Sequence, residues 1–169
     1  MSNKRIFFAL WPDDRQRDRL RDVISPLAKL VEGQHVYRGN WHVTTAFIGE
    51  FPESRLQELQ ARAAQIAVEP FRLRFDRVEF WPRPKVASLV AATVPPELQQ
   101  LVDAQNSLLA DLGVKVEDRT YRPHMTLVRR ARPFETQRLA HPAVVEWSSF
   151  ELVESVSRPG GVTYRPLKQ

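Results

Sequence analysis

Two of the four histidines, His42 and His124, are each followed two places on by a threonine, Thr44 and Thr126. In an extended segment, residues i and i+2 share a face. Each pair would therefore present an imidazole and a hydroxyl together. In "YRPHMTLVRR", residues 121–130, Met125 and Leu127 alternate with His124 and Thr126. The oily face of such a strand packs on a core. The polar face must meet water, a partner or a cleft, because burying an unpaired polar group costs roughly a few kcal/mol. Imidazole titrates near neutrality, so one ring can take a proton from water while a second, protonated, gives one to a leaving oxygen. Threonine hydroxyls and a guanidinium can hold the non-bridging oxygens of a phosphate while charge grows on them. That scheme requires no metal.

Blander readings compete with it. A strand histidine is commonly an ordinary half-buried residue, and threonine suits strands for steric reasons. Arg129 and Arg130 could simply close a solvated strand end. A metal site is a third reading, although neither motif brings a second histidine or a carboxylate at ligand spacing, and HExxH is absent. The chain has no cysteine, which excludes disulfides, thiol catalysis and Cys-ligated zinc. Neither glycine-rich phosphate loop occurs, nor does a GxSxG nucleophile elbow. His35 and His141 lack a threonine partner and are expected to be structural.

The surrounding pattern predicts the elements that must carry these residues. Ile6 to Leu10 reads as a buried strand. Pro12 and Asp13 open a helix with Leu20, Val23, Ile24, Leu27 and Val31 at helical spacing, disturbed by Pro26 and stopped by Gly33. Trp41 to Glu50 is a second strand, carrying His42. Leu56, Leu59, Ala63 and Ile66 mark a second helix. "FRLRFDRVEFWP" alternates until its parity shifts before Val78, which predicts a bulge. "VASLVAATV" is a strand buried on both faces. A third helix runs from Pro95 and Pro96 to Gly113, and the His124 strand follows. "PFETQRLA" reads as a short helix at best. Trp147 to Val156 and Val162 to Leu167 read as closing strands around "SRPGG". Strands and helices mix without a regular beat, which indicates an α+β fold. The two His-x-Thr segments lie about half the chain apart and suggest two related lobes.

At 169 residues with 43% hydrophobic composition, the chain reads as one domain, 1–169, in two lobes. Twenty-five Lys and Arg against 20 Asp and Glu give a net charge of +5, which mildly favours anionic partners such as nucleic acid. No stretch approaches the length of a membrane span, and Ile6 to Trp11 is too short for a signal-peptide core. The expectation is a cytoplasmic protein without a membrane partner.

The motifs "HVTTAFIG" (His42 to Gly49) and "HMTLVR" (His124 to Arg129) resemble the paired signatures of the 2H phosphoesterase superfamily, in its LigT-like branch of RNA 2′,3′-cyclic phosphodiesterases, also called 2′-5′ RNA ligases. "KRIFFALWPDD", "LGVKVEDRTYRPHMTLVR" and "FELVESVSRPGGVTYRPL" extend the resemblance over nearly the whole chain. It implies a bilobal, pseudo-twofold fold: two antiparallel sheets flanked by helices, with a central cleft. It implies hydrolysis of a terminal 2′,3′-cyclic phosphate on RNA or nucleotides to a 2′-phosphate, with reversal to join RNA ends by a 2′-5′ bond. By the resemblance, His42 is the proton donor, His124 the proton acceptor, and Thr44, Thr126 and Arg129 bind the phosphate. No cofactor or metal is implied, and a monomer is expected. In an unbroken strand Arg129 would face away from His124, so the strand has to end or twist there. Thr45 and Ile48 replace leucines that many relatives carry. Phe47, Tyr121 and Tyr37 are candidates for stacking a base, with core packing the competing role for Phe47; Arg122 and Arg130 are candidates for contacting RNA. Substrate preference is expected in the loops Arg83 to Lys85 and Arg158 to Gly161. A non-catalytic RNA-end-binding module, and an esterase acting on 2′-5′ oligoadenylate or ADP-ribose cyclic phosphate, are the rival functions.

Overall fold

The computed structural model describes residues 2–168. In chain order the elements are β1 (Asn3–Leu10), α1 (Asp14–Ala28), β2 (Gln34–His35), β3 (Val43–Pro52), α2 (Leu56–Ala63), β4 (Phe71–Trp81), β5 (Val86–Ala91), α3 (Pro96–Asp111), β6 (His124–Arg129), β7 (Gln137–Trp147), β8 (Glu151–Arg158) and β9 (Gly161–Pro166). Single 3₁₀ turns at Arg38–Asn40 and Glu53–Arg55 precede β3 and α2. One sheet has the order β3-β1-β8-β9 and the other β2-β6-β5-β4-β7. Every strand pairing in them is antiparallel. The fold is α+β, and each sheet receives one His-x-Thr segment.

Local chemistry explains the helices. Asp13 accepts from the backbone N–H of Gln16 at 2.7 Å, and the Gln16 side chain accepts from the Asp13 N–H at 2.8 Å. This capping box starts α1 where the sequence predicts. Pro26 has no N–H to donate, and the helix ends two residues later at Ala28. Val31 is buried beyond its end. Two clusters form the interior. Around the five-stranded sheet, Leu20 and Ile24 of α1 pack with Phe71, Leu73, Val145 and Trp147. Around the four-stranded sheet, Leu59 of α2 packs with Ile6, Phe8, Ile48 and Phe51. Helix α3 serves both clusters: Leu98, Leu101 and Val102 enter the first, and Leu108, Leu109 and Leu112 the second.

Several boundaries depart from expectation. "PFETQRLA" is not helical; its second half opens β7, which pairs with β4 at the edge of the larger sheet. Glu, Gln, Arg, Leu and Ala favour helix locally, and strand pairing overrides that preference. Pro142 is tolerated because an edge strand has a side that needs no ladder donor. Trp147 closes β7 and does not begin the next strand. The two-residue β2, which pairs with the end of β6, is too short to show a period. His42 stands one residue before β3, and β6 begins at His124 rather than Tyr121. The bulge in β4 is present: its register to both β5 and β7 shifts between Phe75 and Arg77.

Candidate active site

Strand β6 delivers three polar side chains to one face by breaking its own alternation. Against β5, Ser88 pairs with Thr126 and the adjacent Ala87 pairs with Val128, which leaves Leu127 as an extra residue. Leu127 and Val128 are consequently both buried, and Arg129 emerges at the wall of the cleft that His124 and Thr126 line. This bulge answers the objection that a regular strand would turn Arg129 away. Strand β3 repeats the device. Against β1, Ala9 pairs with Thr44 and Phe8 with Ala46, which leaves Thr45 as the extra residue. Thr45 and Ala46 are both buried, and Phe47 emerges 47% exposed at the same cleft wall. Both segments therefore follow one plan, in which the threonine and the residue five places after the histidine reach the cleft wall; His124 lines the cleft too, whereas His42 lies behind Thr44, outside its lining. The fifth residue is Phe47 in one half and Arg129 in the other.

The histidines are tethered alike. His42 Nδ1 lies 2.8 Å from the Asn40 carbonyl oxygen, and His124 Nδ1 lies 2.8 Å from the Arg122 carbonyl oxygen. A carbonyl can only accept, so each Nδ1 carries a proton and each Nε2 is the atom left for chemistry. A backbone carbonyl two residues back, not a carboxylate, fixes both rings. His42 Nε2 is 3.0 Å from the Thr44 hydroxyl, so in the neutral ring Thr44 donates to it.

Their surroundings differ. His42 sits among aromatic rings: Phe7 at 4.9 Å, Tyr164 edge-on at 5.0 Å and Trp11 stacked at 5.9 Å between centroids. Burial pushes its imidazole down to about 4; the Asn40 hydrogen bond opposes that, and the charges of Arg129 and His124 add to it. The charge of His124 thus reaches His42, although the two rings come from different sheets. His124 packs on Trp81 at 4.4 Å. Burial lowers its pKa as well, opposed by the Arg122 carbonyl and assisted by the Arg122 and Arg119 charges.

Beside them lies a cleft of about 820 Å³, with Thr44, Phe47, Trp81, His124, Thr126 and Arg129 among its lining residues. Arg83, Arg119 and Arg122 also line it and make it cationic. Strands β3 and β6 touch, and Tyr121 ties them by donating from its hydroxyl to the Thr44 carbonyl at 2.9 Å. Its ring packs against the larger core cluster, and burial pushes its phenol up. Phe47 holds the Arg5 guanidinium 5.3 Å from its ring centre. Arg129 donates to the Tyr164 hydroxyl at 2.8 Å. Arg130 and Tyr37 line a different hollow on the far side of Arg129. His35 lies in that hollow too, with Nε2 3.1 Å from the Val31 carbonyl oxygen, and His141 is exposed on β7.

The sequence reading missed Trp81, Tyr164 and the carboxylate that organises the His124 side. Glu79 accepts from Arg77 Nε at 2.5 Å, from the Trp81 indole at 2.8 Å and from Arg122 at 3.2 Å. Period-two alternation could have linked Glu79 to Trp81 along β4, but nothing in one sequence links either to His124. Among the described residues, no group of three or more His, Asp or Glu gathers into a metal-binding cluster. Also among them, no helix is long and apolar enough to cross a membrane.

Comparisons with known proteins agree with this geometry. The family model of the 2′-5′ RNA ligase superfamily matches residues 12–153. An RNA 2′,3′-cyclic phosphodiesterase of Aeropyrum pernix is 31% identical, over 88% of this chain and 90% of that protein. One from Archaeoglobus fulgidus is 26% identical, over 97% of this chain and 98% of that protein. The crystal structure of Escherichia coli LigT complexed with 3′-AMP superposes with a TM-score of 0.87 at 29% identity, covering 99% of this chain and 97% of that one.

Proposed function

The chain belongs to the 2′-5′ RNA ligase superfamily, and from that premise we propose that it is an RNA 2′,3′-cyclic phosphodiesterase working by two-histidine acid–base catalysis. The observation that carries the reading is the matched pair of imidazoles. Both have Nδ1 committed to a carbonyl and Nε2 left for proton transfer, and they lie within electrostatic reach of one another. His124 Nε2 takes the proton of a water as its oxygen bonds to phosphorus. The bond from phosphorus to the 3′ oxygen breaks, and His42 Nε2 gives that oxygen a proton. The products are a 2′-phosphate and a 3′-hydroxyl. Thr44, Thr126 and Arg129 hold the non-bridging oxygens and offset the charge that develops on them. With the 5′-hydroxyl of a second RNA in place of water, the same forward steps form a 2′-5′ bond and free the 3′-hydroxyl.

Phe47 offers a ring for the terminal base, because half its surface is free in the cleft. Tyr121 contributes as a tether between the two strands more than as a stacking surface, since its hydroxyl is engaged and its ring is packed. Arg130 contacts RNA from outside the catalytic cleft. The protein acts as a cytoplasmic monomer without a metal, in one domain.

The test is turnover of 2′,3′-cyclic AMP to 2′-AMP by the native protein and by His42→Ala and His124→Ala. Each substitution should lower turnover about 100-fold or more, the usual scale for losing a general acid or base. RNA binding should persist, since charge supplies most of it. EDTA should leave the rate unchanged. Binding without conversion by the native protein would reduce it to an RNA-end-binding module, and near-native turnover by either variant would remove that histidine from the mechanism.

A further inference from the structure

A second hollow of about 800 Å³ adjoins the catalytic cleft, and Pro84, Val86 and Arg129 line both. The pair of clefts therefore meets at the guanidinium that the mechanism sets against the phosphate. The second hollow is built from the turn before β3, the end of β6 and the β8–β9 hairpin. Its lining contains Tyr37, Arg130, Arg158 and Tyr164, and no Asp or Glu. Among the described residues, none of Arg129, Arg130 and Arg158 forms an ion pair with a carboxylate. Most arginines elsewhere on this protein do, so three guanidinium groups without a carboxylate partner facing one concavity form a local anion field.

An aromatic surface accompanies that charge. Tyr37 is 73% exposed, and a large open ring is uncommon on a soluble surface. Gly39 makes room for it: a Cβ there would lie 2.4 Å from the Tyr37 ring. The wall is also joined to the catalytic machinery. Asn40 donates to the Val162 carbonyl at 3.0 Å and accepts from the Tyr164 N–H at 3.4 Å, while its own carbonyl holds His42. Arginines without a carboxylate partner beside an open aromatic face are what a single-stranded nucleic acid requires, with phosphates on the cations and a base on the ring.

We propose that this second hollow is a subsite for single-stranded RNA continuing from the reacting phosphate, with Arg130 and Arg158 on backbone phosphates and Tyr37 under a base. The inference rests on the cyclic phosphodiesterase reading for its alignment with the chemistry. The RNA has two sources: nucleotides upstream of the cyclic phosphate, or a second nucleoside joined through the reacting phosphorus.

The experiment compares native protein with Tyr37→Ala, Arg158→Ala and the double variant on three substrates: 2′,3′-cyclic AMP, a short single-stranded RNA ending in a cyclic phosphate, and 2′-5′-linked ApA. In the double variant KM for RNA should rise roughly 10-fold, the loss of one stacked base and one phosphate contact, with kcat unchanged. Turnover of 2′,3′-cyclic AMP should match native. A rise confined to the cyclic-ended RNA identifies the upstream strand; a rise with the 2′-5′ dinucleotide identifies the nucleoside across the phosphate. Native KM for both extended substrates overturns the proposal. If native protein turns over no cyclic phosphate, the catalytic reading fails separately. Fluorescence anisotropy with a 3′-hydroxyl RNA then decides the subsite: weaker binding and a shallower salt slope in the double variant support it, and unchanged binding overturns it.

Discussion

His42 and His124 share a tether, and in the free protein burial lowers both imidazoles. A donor has to hold its proton, and the protonated fraction falls as pH rises through the pKa. The profile of kcat/KM reports the free enzyme, so its descending limb should lie below the ordinary imidazole value of about 6.5. An anionic phosphodiester beside His42 favours the charged ring. The descending limb of kcat, which reports the bound complex, should accordingly lie at higher pH. Steady-state profiles on 2′,3′-cyclic AMP check this; coincident limbs at or above neutrality would deny that burial sets the free-enzyme values. The two limbs belong to the pair of rings and not to one residue each. The two His-x-Thr segments were legible because residue type and spacing mark them. Their tethers were not, since a backbone carbonyl carries no sequence signal.

At the scale of elements, β4 does more than fill the larger sheet. It carries Glu79 and Trp81, and Glu79 binds Trp81 and Arg122, the two residues that flank His124. The Arg122 guanidinium also covers the Trp81 ring at 4.7 Å. Burial alone would raise the Glu79 carboxyl, but hydrogen bonds from Arg77 and Trp81 and the Arg77 and Arg122 charges hold it below the usual range, so it is ionised. Replacing it by glutamine should loosen both neighbours and lower kcat roughly 10-fold, as small misplacements of a catalytic group do, while KM for 2′,3′-cyclic AMP stays near native. Kinetics and a melting curve on the same preparation check it, and a loss that tracks stability alone would refute the positioning role. The strands themselves were readable where alternation was long, as in Phe71 to Phe75. They were misread where local preference and pairing disagreed, as in Gln137 to Ala140. The bulges in β3 and β6 were hidden because register belongs to two strands, although the forced outward turn of Arg129 pointed to one of them.

The whole molecule inherits a pH dependence from its site. His42 has a folded pKa of about 4 against an unfolded value of 6.5. Between those values the unfolded chain binds more protons, so stability rises with pH across that window. The contribution is complete above the unfolded value and is lost as pH falls toward the folded one, up to about 3 kcal/mol for a shift of this size. Thermal melts should therefore fall in temperature from pH 7 to pH 5, and fall less in His42→Ala; an equal fall in both would place the sensitivity elsewhere. The α+β class was legible from the irregular mixing of strands and helices, and the two-sheet plan from the repeated His-x-Thr segments. The strand order was not, because it rests on contacts between distant residues, nor was the sharing of α3 between both core clusters. The added residue in β3 and in β6 is set by backbone pairing, independently of which side chain stands at 47 or 129. Position 47 can thus be refilled by point substitution while the imidazoles and Arg129 stay where they are, so preference for a base can drift over generations with the proton chemistry left intact.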